Sequence, residues 1–272
     1  MNAAYNGDVM SENSVRLPTD DRAFRYGDGL FETIRYENGI VWFWPDHFDR
    51  LNRGMEAMRL IPPPRFSEES LLETIIQLLE SNHLRQQPAR LKLQVWRRPG
   101  GLYTPATQEA DWLLTVRPGP PFSITPKSNL GVYEDFRLSP SPVSAFKTLN
   151  SLPYVLAALY RQEHGYDDVL LLDIHGYLAE CGASNLFWFV GETLFTPSLE
   201  TGCIDGVLRR QLLRHFDVRE GLFPPEALDT ADCIFCANVA GIQVFRGWDG
   251  TRMTRIERIF ANFQPLNPLK GT

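Results

Sequence analysis

Lysine is scarce in this chain of 272 residues: only four of its 27 basic residues are lysine, namely Lys92, Lys127, Lys147 and Lys270. Lys147 lies in Ala145-Phe-Lys-Thr-Leu-Asn150, between an apolar segment and an expected helix. Partial desolvation there disfavours the ammonium form and helps the amine act as a nucleophile. Glu180 lies in Tyr177-Leu-Ala-Glu-Cys-Gly-Ala-Ser-Asn185, between two apolar strand-like runs. A carboxylate enclosed in that way needs a partner. Gly206 precedes an expected helix, so the first amides, on Val207 and Leu208, are left to meet an anion. A phosphate is the natural guest. Arg50, on an expected helix after Asp46, could add a charged contact to it. Taken singly, each residue also has a plain reading as a solvated lysine, a strand-end glutamate, an ordinary helix start or a solvated helical arginine.

The elements that must hold these residues follow from periodicity and turn chemistry. Leu30 to Tyr36 and Ile40 to Trp44 are β-rich and joined by Glu37-Asn38-Gly39, a strong hairpin signal because Asn and Gly tolerate positive φ. Asp46 to Leu60 reads as a helix with Phe48, Leu51, Met55 and Met58 on one face. Ser67 to Leu84 reads as a second helix, capped by Ser67. Arg90 to Trp96 and Trp112 to Val116 are further strands, which makes this half an α+β layer. Arg117-Pro-Gly-Pro-Pro121 and Pro126 then read as a linker, with a domain boundary near residue 120.

Beyond it, Leu152 to His164 reads as a helix stopped by Gly165. Asp168 to Leu172, Leu186 to Val190, Thr193 to Phe195 and Cys233 to Cys236 read as strands. Val207 to His215 and Arg255 to Phe263 read as helices. Short strands with interspersed helices suggest a curled sheet or pseudo-barrel.

Bulk properties narrow the function. A net charge of −6 and a pI near 5.5 argue against general affinity for nucleic acid or an anionic membrane. No apolar run is long enough to span a bilayer, and Met1 to Ser14 lacks the features of a secretory signal, so the expected location is cytoplasmic. Four cysteines make a disulfide scaffold unexpected. Cys233 and Cys236 read as buried strand residues rather than metal ligands, and no metal site is expected.

Taken in order, the motifs resemble those of the class IV aminotransferases, and the resemblance covers nearly the whole chain, from Tyr5-Asn-Gly7 to Gly241-Ile-Gln-Val244. Asp21 to Arg35 resembles the family's first signature, and His47-Phe-Asp-Arg-Leu51 resembles its HxxRL. Lys147-Thr-Leu-Asn resembles its cofactor-lysine segment, and Glu180 with Asn185-Leu-Phe its E-x4-N pattern. Gly206-Val-Leu-Arg209 resembles its phosphate-binding turn. The resemblance implies pyridoxal 5'-phosphate held by Lys147 as a Schiff base, with Glu180 at the pyridine nitrogen. It assigns Arg50, Asn185, Gly206, Val207, Leu208 and Asn238 to cofactor binding, with Tyr103 and Arg97 on the substrate side. Leu208 stands where Thr is common, and Asn238 where Ser or Thr is common.

The implied fold is the two-domain type IV fold of pyridoxal-phosphate enzymes, classed α+β. It has a small N-terminal α/β domain over 1–120 and a larger C-terminal pseudo-barrel domain over 121–272 that carries the cofactor lysine. A homodimer acting on a small amino substrate is implied as well.

Within the family, Gly27-Asp-Gly-Leu-Phe-Glu-Thr33 and Glu180 to Trp188 look most like 4-amino-4-deoxychorismate lyase. Ser151 stands where branched-chain aminotransferases tend to have Tyr. The alternatives are an aminotransferase for branched-chain L-amino acids or for D-amino acids, and, more remotely, a binding module that keeps the fold without catalysis. A module of that kind would need neither Lys147 nor Glu180.

Overall fold

The computed structural model describes residues 1–247. The helix expected over Arg255 to Phe263 lies outside the described residues. The chain forms two compact units. The first holds Met1–Pro121 and, separately, Phe146–Asn150; the second takes Phe122–Ala145 and resumes at Ser151. The boundary near residue 120 therefore omits one detour. Lys147 was expected in the C-terminal domain, but its segment packs with the N-terminal unit.

The first unit is built on six strands: β1 (Asn2–Tyr5), β2 (Asp8–Ser11), β3 (Gly29–Glu37), β4 (Ile40–Val41), β5 (Ala89–Arg97) and β6 (Ala110–Pro118). They form one sheet in the order β2-β1-β6-β5-β3-β4. The helices are α1 (Arg22–Tyr26), α2 (Trp44–Ala57) and α3 (Glu68–Ser81). Alternation along β3 sends Leu30, Ile34 and Tyr36 into a core shared with Leu51 and Met55 of α2 and Ile75 and Leu78 of α3. The Asn38-Gly39 turn has φ of 54° and 79°, as a tight hairpin demands. Ser67 caps α3, its hydroxyl accepting from Ser70 N at 3.2 Å.

The strand expected over Ile40 to Trp44 ends at Val41. Phe43 turns to φ 54° and Pro45 fits the first turn of α2, so Trp44 starts a helix instead.

In the second unit, β7 (Ser123–Pro126), β8 (Leu130–Leu138), α4 (Leu152–Glu163), β9 (Asp168–Asp173), β10 (Leu178–Cys181), β11 (Asn185–Val190), β12 (Thr193–Pro197), α5 (Val207–His215), β13 (Val218–Gly221), β14 (Cys233–Asn238) and β15 (Gly241–Arg246) follow in turn. They make a three-stranded sheet, β10-β9-β8, and a six-stranded sheet, β13-β12-β11-β14-β15-β7. Pro126, read as linker, ends edge strand β7, which runs parallel to β15. A proline is tolerated there because an edge strand leaves one side of its backbone unpaired.

Cysteine also departs from expectation: Cys181 of β10 and Cys236 of β14 are joined as a disulfide, while Cys203 and Cys233 are free and buried. Asp168 has an oxygen within 4.8 Å of both bonded sulfurs. Sulfurs bonded to each other are poor metal ligands, which leaves that cluster a single carboxylate.

Candidate active site

Lys147 is set by β3. Its carbonyl accepts from Phe31 N at 2.8 Å, Leu149 N donates to Gly29 O at 2.9 Å, and Leu30 and Thr148 form an antiparallel bridge. The segment thus runs along the start of β3, on the side that β4 takes at the strand's end. Its half-buried side chain places Nζ 4.8 Å from the centre of the Phe31 ring. Lys92 of β5 pairs with Thr33, on the same face as Phe31, and its Nζ stands 5.0 Å from that same ring. Two ammonium groups therefore face one aromatic ring, an arrangement favoured by the ring quadrupole.

The opposite face of β3 carries a residue that the file of apolar neighbours conceals. Glu32 shares the core-facing file with Leu30 and Ile34 and is 2% exposed. One helical turn apart on α2, His47 and Arg50 meet it. Arg50 Nε donates to Oε1 at 2.7 Å and Nη2 to Oε2, and His47 Nδ1 lies 2.7 Å from Oε2. Burial alone would raise the Glu32 carboxyl, but the Arg50 charge and the His47 hydrogen bond outweigh it and lower it to about 2. Burial likewise pushes His47 below its ordinary value, against the pull of Glu32. His47 Nε2 is buried and finds no hydrogen-bond partner among the described residues. Arg50, expected only at a phosphate, is therefore also one arm of a buried charge cluster.

In the second unit Glu180 is 3% exposed on β10. Its Oε1 accepts from Tyr154 OH at 2.7 Å, and Oε2 accepts from Ile204 N at 3.1 Å and Asn185 Nδ2 at 3.5 Å. Asn185 Nδ2 also donates to Ile204 O at 2.8 Å, tying β11 to the loop that enters α5.

Gly206 is the N-cap of α5 and offers the helix no side-chain cap. A Cβ at this position would stand 2.0 Å from Asn185 Oδ1, so only glycine leaves the approach to the helix open. Val207 and Leu208 are buried in the core, at 2% and 1% exposure. They can offer a ligand their backbone amides only, and the missing threonine hydroxyl at 208 is replaced by packing.

Other assignments change. Arg97 places all five N–H groups on the protein. Nε and Nη2 reach Asp28 at 2.9 and 3.4 Å, Nη2 also reaches Met58 O at 2.8 Å, and Nη1 reaches Arg59 O at 3.3 Å and Gln108. It has no donor left for a substrate. Asp28 also holds Arg22 at 2.7 Å, and Arg22 Nη1 clamps the carbonyls of Gly100 and Leu102. Arg97 is thus an anchor for the Gly-Gly loop. Tyr103, on that loop, is 89% exposed, with its ring centre 5.7 Å from that of Tyr26. Asn238 shapes the β14–β15 turn: Nδ2 donates to Ala183 O at 3.0 Å and Oδ1 accepts from Ala240 N at 2.8 Å.

Sequence reasoning missed Glu32, His47, Lys92 and Tyr154 as individual residues. Glu32 had a visible signal, a carboxylate in an apolar period-two file followed by His and Arg three residues apart. Tyr154 and Lys92 had none, because only tertiary packing sets their contacts.

The family model for class IV aminotransferases matches residues 29–246. An aminodeoxychorismate lyase of Bacillus subtilis is 30% identical over 243 residues, 86% of this chain and 81% of its own. A branched-chain-amino-acid aminotransferase of Escherichia coli is 25% identical over 281 residues, 94% of this chain and 90% of its own. The crystal structure of the branched-chain aminotransferase of Escherichia coli superposes with a TM-score of 0.85 at 23% identity, covering 96% of this chain and 94% of that one. This chain belongs to the class IV aminotransferases, the pyridoxal-phosphate-dependent aminotransferases and lyases of fold type IV.

Proposed function

We propose that the chain is a 4-amino-4-deoxychorismate lyase that uses pyridoxal 5'-phosphate, releases pyruvate and forms 4-aminobenzoate. The observation that carries this reading is the pair of ammonium groups, Lys92 and Lys147, over the ring of Phe31. A cyclic substrate with two carboxylates needs cationic partners beside an apolar face. Exposed Lys92 offers one while Lys147 keeps its amine for chemistry. The 30% identity to the Bacillus subtilis lyase points the same way, as does Ser151 where branched-chain enzymes tend to have Tyr.

The residues present fit the cofactor. An amine, a guanidinium and a buried carboxylate are available, and the start of α5 is kept clear by Gly206. Lys147 would hold the cofactor, Glu180 would face its ring nitrogen with Asn185 steadying it, and Arg50 with the amides of Val207 and Leu208 would take the phosphate. When bound, the cofactor withdraws electrons from the substrate carbon that bears the amine. Lys147 Nζ then takes the proton from that carbon. Breaking the ring's C–O bond to the enolpyruvyl group then leaves the ring aromatic, and the proton held on Lys147 Nζ passes to the departing enolpyruvate, which becomes pyruvate. Tyr103 borders the substrate, and the enzyme works as a cytoplasmic homodimer in which the Tyr103 loop reaches the partner.

The 25% identity to the Escherichia coli branched-chain enzyme favours a second reading, transamination, in which Lys147 returns the proton and a keto acid leaves. Purified enzyme given aminodeoxychorismate, and separately a panel of L- and D-amino acids with a keto acid acceptor, separates the two. Release of 4-aminobenzoate and pyruvate in equal amounts is the expected result. Transamination of the panel with no 4-aminobenzoate would overturn it.

A further inference from the structure

Glu180 is gripped from several elements at once. The Ile204 amide and Asn185 hold Oε2, and the Tyr154 hydroxyl donates to Oε1 at 2.7 Å. Tyr154 is the third residue of α4, one turn past Ser151. On the rest of this helix Val155, Leu156 and Leu159 are exposed, whereas the Tyr154 ring is turned inward to the carboxylate.

Tyr154 and Cys203 both interact with Glu180 in this pocket, and both keep their protons. Burial, and then the charge of Glu180, pushes the Tyr154 phenol far above its ordinary value. The same two causes push the Cys203 thiol up to about 12. The phenol can therefore only donate to the Glu180 carboxyl.

We propose that Tyr154 is a positioning residue for Glu180: its hydroxyl fixes the plane of the carboxylate and lowers its affinity for a proton, so that the cofactor's ring nitrogen keeps its own. The proposal rests on the reading of this chain as a pyridoxal-phosphate enzyme with Glu180 at that nitrogen. Phosphate contacts set whether the cofactor binds, whereas the Tyr154–Glu180 pair sets how strongly the ring draws electrons.

The test is Tyr154→Phe, which keeps the ring and removes one oxygen. Titration of apoenzyme with pyridoxal phosphate should leave the affinity within about threefold of wild type, because the Tyr154–Glu180 hydrogen bond is present before the cofactor binds. Holoenzyme carrying cofactor labelled with nitrogen-15 in the ring should give a resonance shifted toward the unprotonated position. Turnover should fall about tenfold or more, with KM within about twofold. In a Glu180→Gln background the same substitution should add less than about twofold, because its effect runs through the carboxylate. Fluorotyrosine at position 154 retains the donor and should restore the wild-type resonance. It also serves if the phenylalanine variant does not fold. An unmoved nitrogen resonance in Tyr154→Phe, full additivity with Glu180→Gln, or a shifted resonance with fluorotyrosine would overturn the proposal. Wild-type protein that takes no cofactor onto Lys147 would instead overturn the cofactor reading beneath it.

Discussion

Replacing Glu32 by Gln tests the buried cluster on α2 without touching Lys147 or Glu180. The amide keeps the shape and removes the charge that compensates Arg50. Its magnitude follows from the carboxyl, held at about 2 against an ordinary 4.5. At about 1.4 kcal/mol per pH unit, that difference amounts to about 3 kcal/mol of folding stability. A buried charge stripped of its partner gives a similar figure, about 3–5 kcal/mol. Because the folded value is depressed, this stability is fully present above pH 4.5 and is lost as pH falls through about 2. Urea unfolding followed by tryptophan fluorescence, at a series of pH values, reads both quantities. At pH 7 the variant should be less stable by about 3 kcal/mol. The gap to wild type should narrow steadily from pH 4.5 toward pH 2. A gap that stays constant over that range, or no gap at neutral pH, would refute the assignment of Glu32 as the charged partner of Arg50.

Glu180→Gln should retain fold and cofactor yet lose about 100-fold in turnover, or about 2.7 kcal/mol of barrier, in steady-state assays; wild-type turnover would make Glu180 a structural residue. Gly206→Ala puts a methyl group against Asn185 Oδ1 and should weaken cofactor binding at least about tenfold by equilibrium titration; unchanged affinity would remove the start of α5 from the site. Arg97→Lys leaves three donors where five are used, and should lower stability by about 2–4 kcal/mol while turnover per folded molecule holds. A fall in kcat/KM at unchanged stability would return Arg97 to the substrate.

How much of this was legible follows from the range of the forces involved. Helix α5 was read with the residues it has, because a glycine start and a 3.6-residue period are local signals. The aromatic run Val41 to Trp44 misled because strand propensity is weaker than a positive-φ cap followed by proline. Arg97 misled because it adjoins a Gly-Gly loop. Its partners Asp28, Met58, Arg59 and Gln108 come from distant parts of the chain, and nothing in Arg97-Arg-Pro-Gly announces them. The motif residues Lys147, Glu180 and Gly206 were singled out because their spacing resembles a family signature, and Tyr154 was invisible because it lies outside any such spacing.

Lys147 marks the sharpest limit. Its segment looks like a short loop before a helix, and its own composition does not say where it packs. Its position comes from β3, where Phe31 N, Gly29 O and the Leu30–Thr148 bridge dock five residues of chain onto an edge that the two-residue strand β4 leaves open. Alternation along β3 then divides labour between its faces. Phe31 meets Lys147 and Lys92 on one side, and Glu32 meets His47 and Arg50 on the other. A one-residue slip of β3 would exchange these faces, placing a carboxylate beside both lysines and a phenyl ring beside a buried guanidinium. The register of a single strand therefore keeps the Lys147 ammonium over the Phe31 ring, on the face of β3 opposite the Glu32 carboxylate.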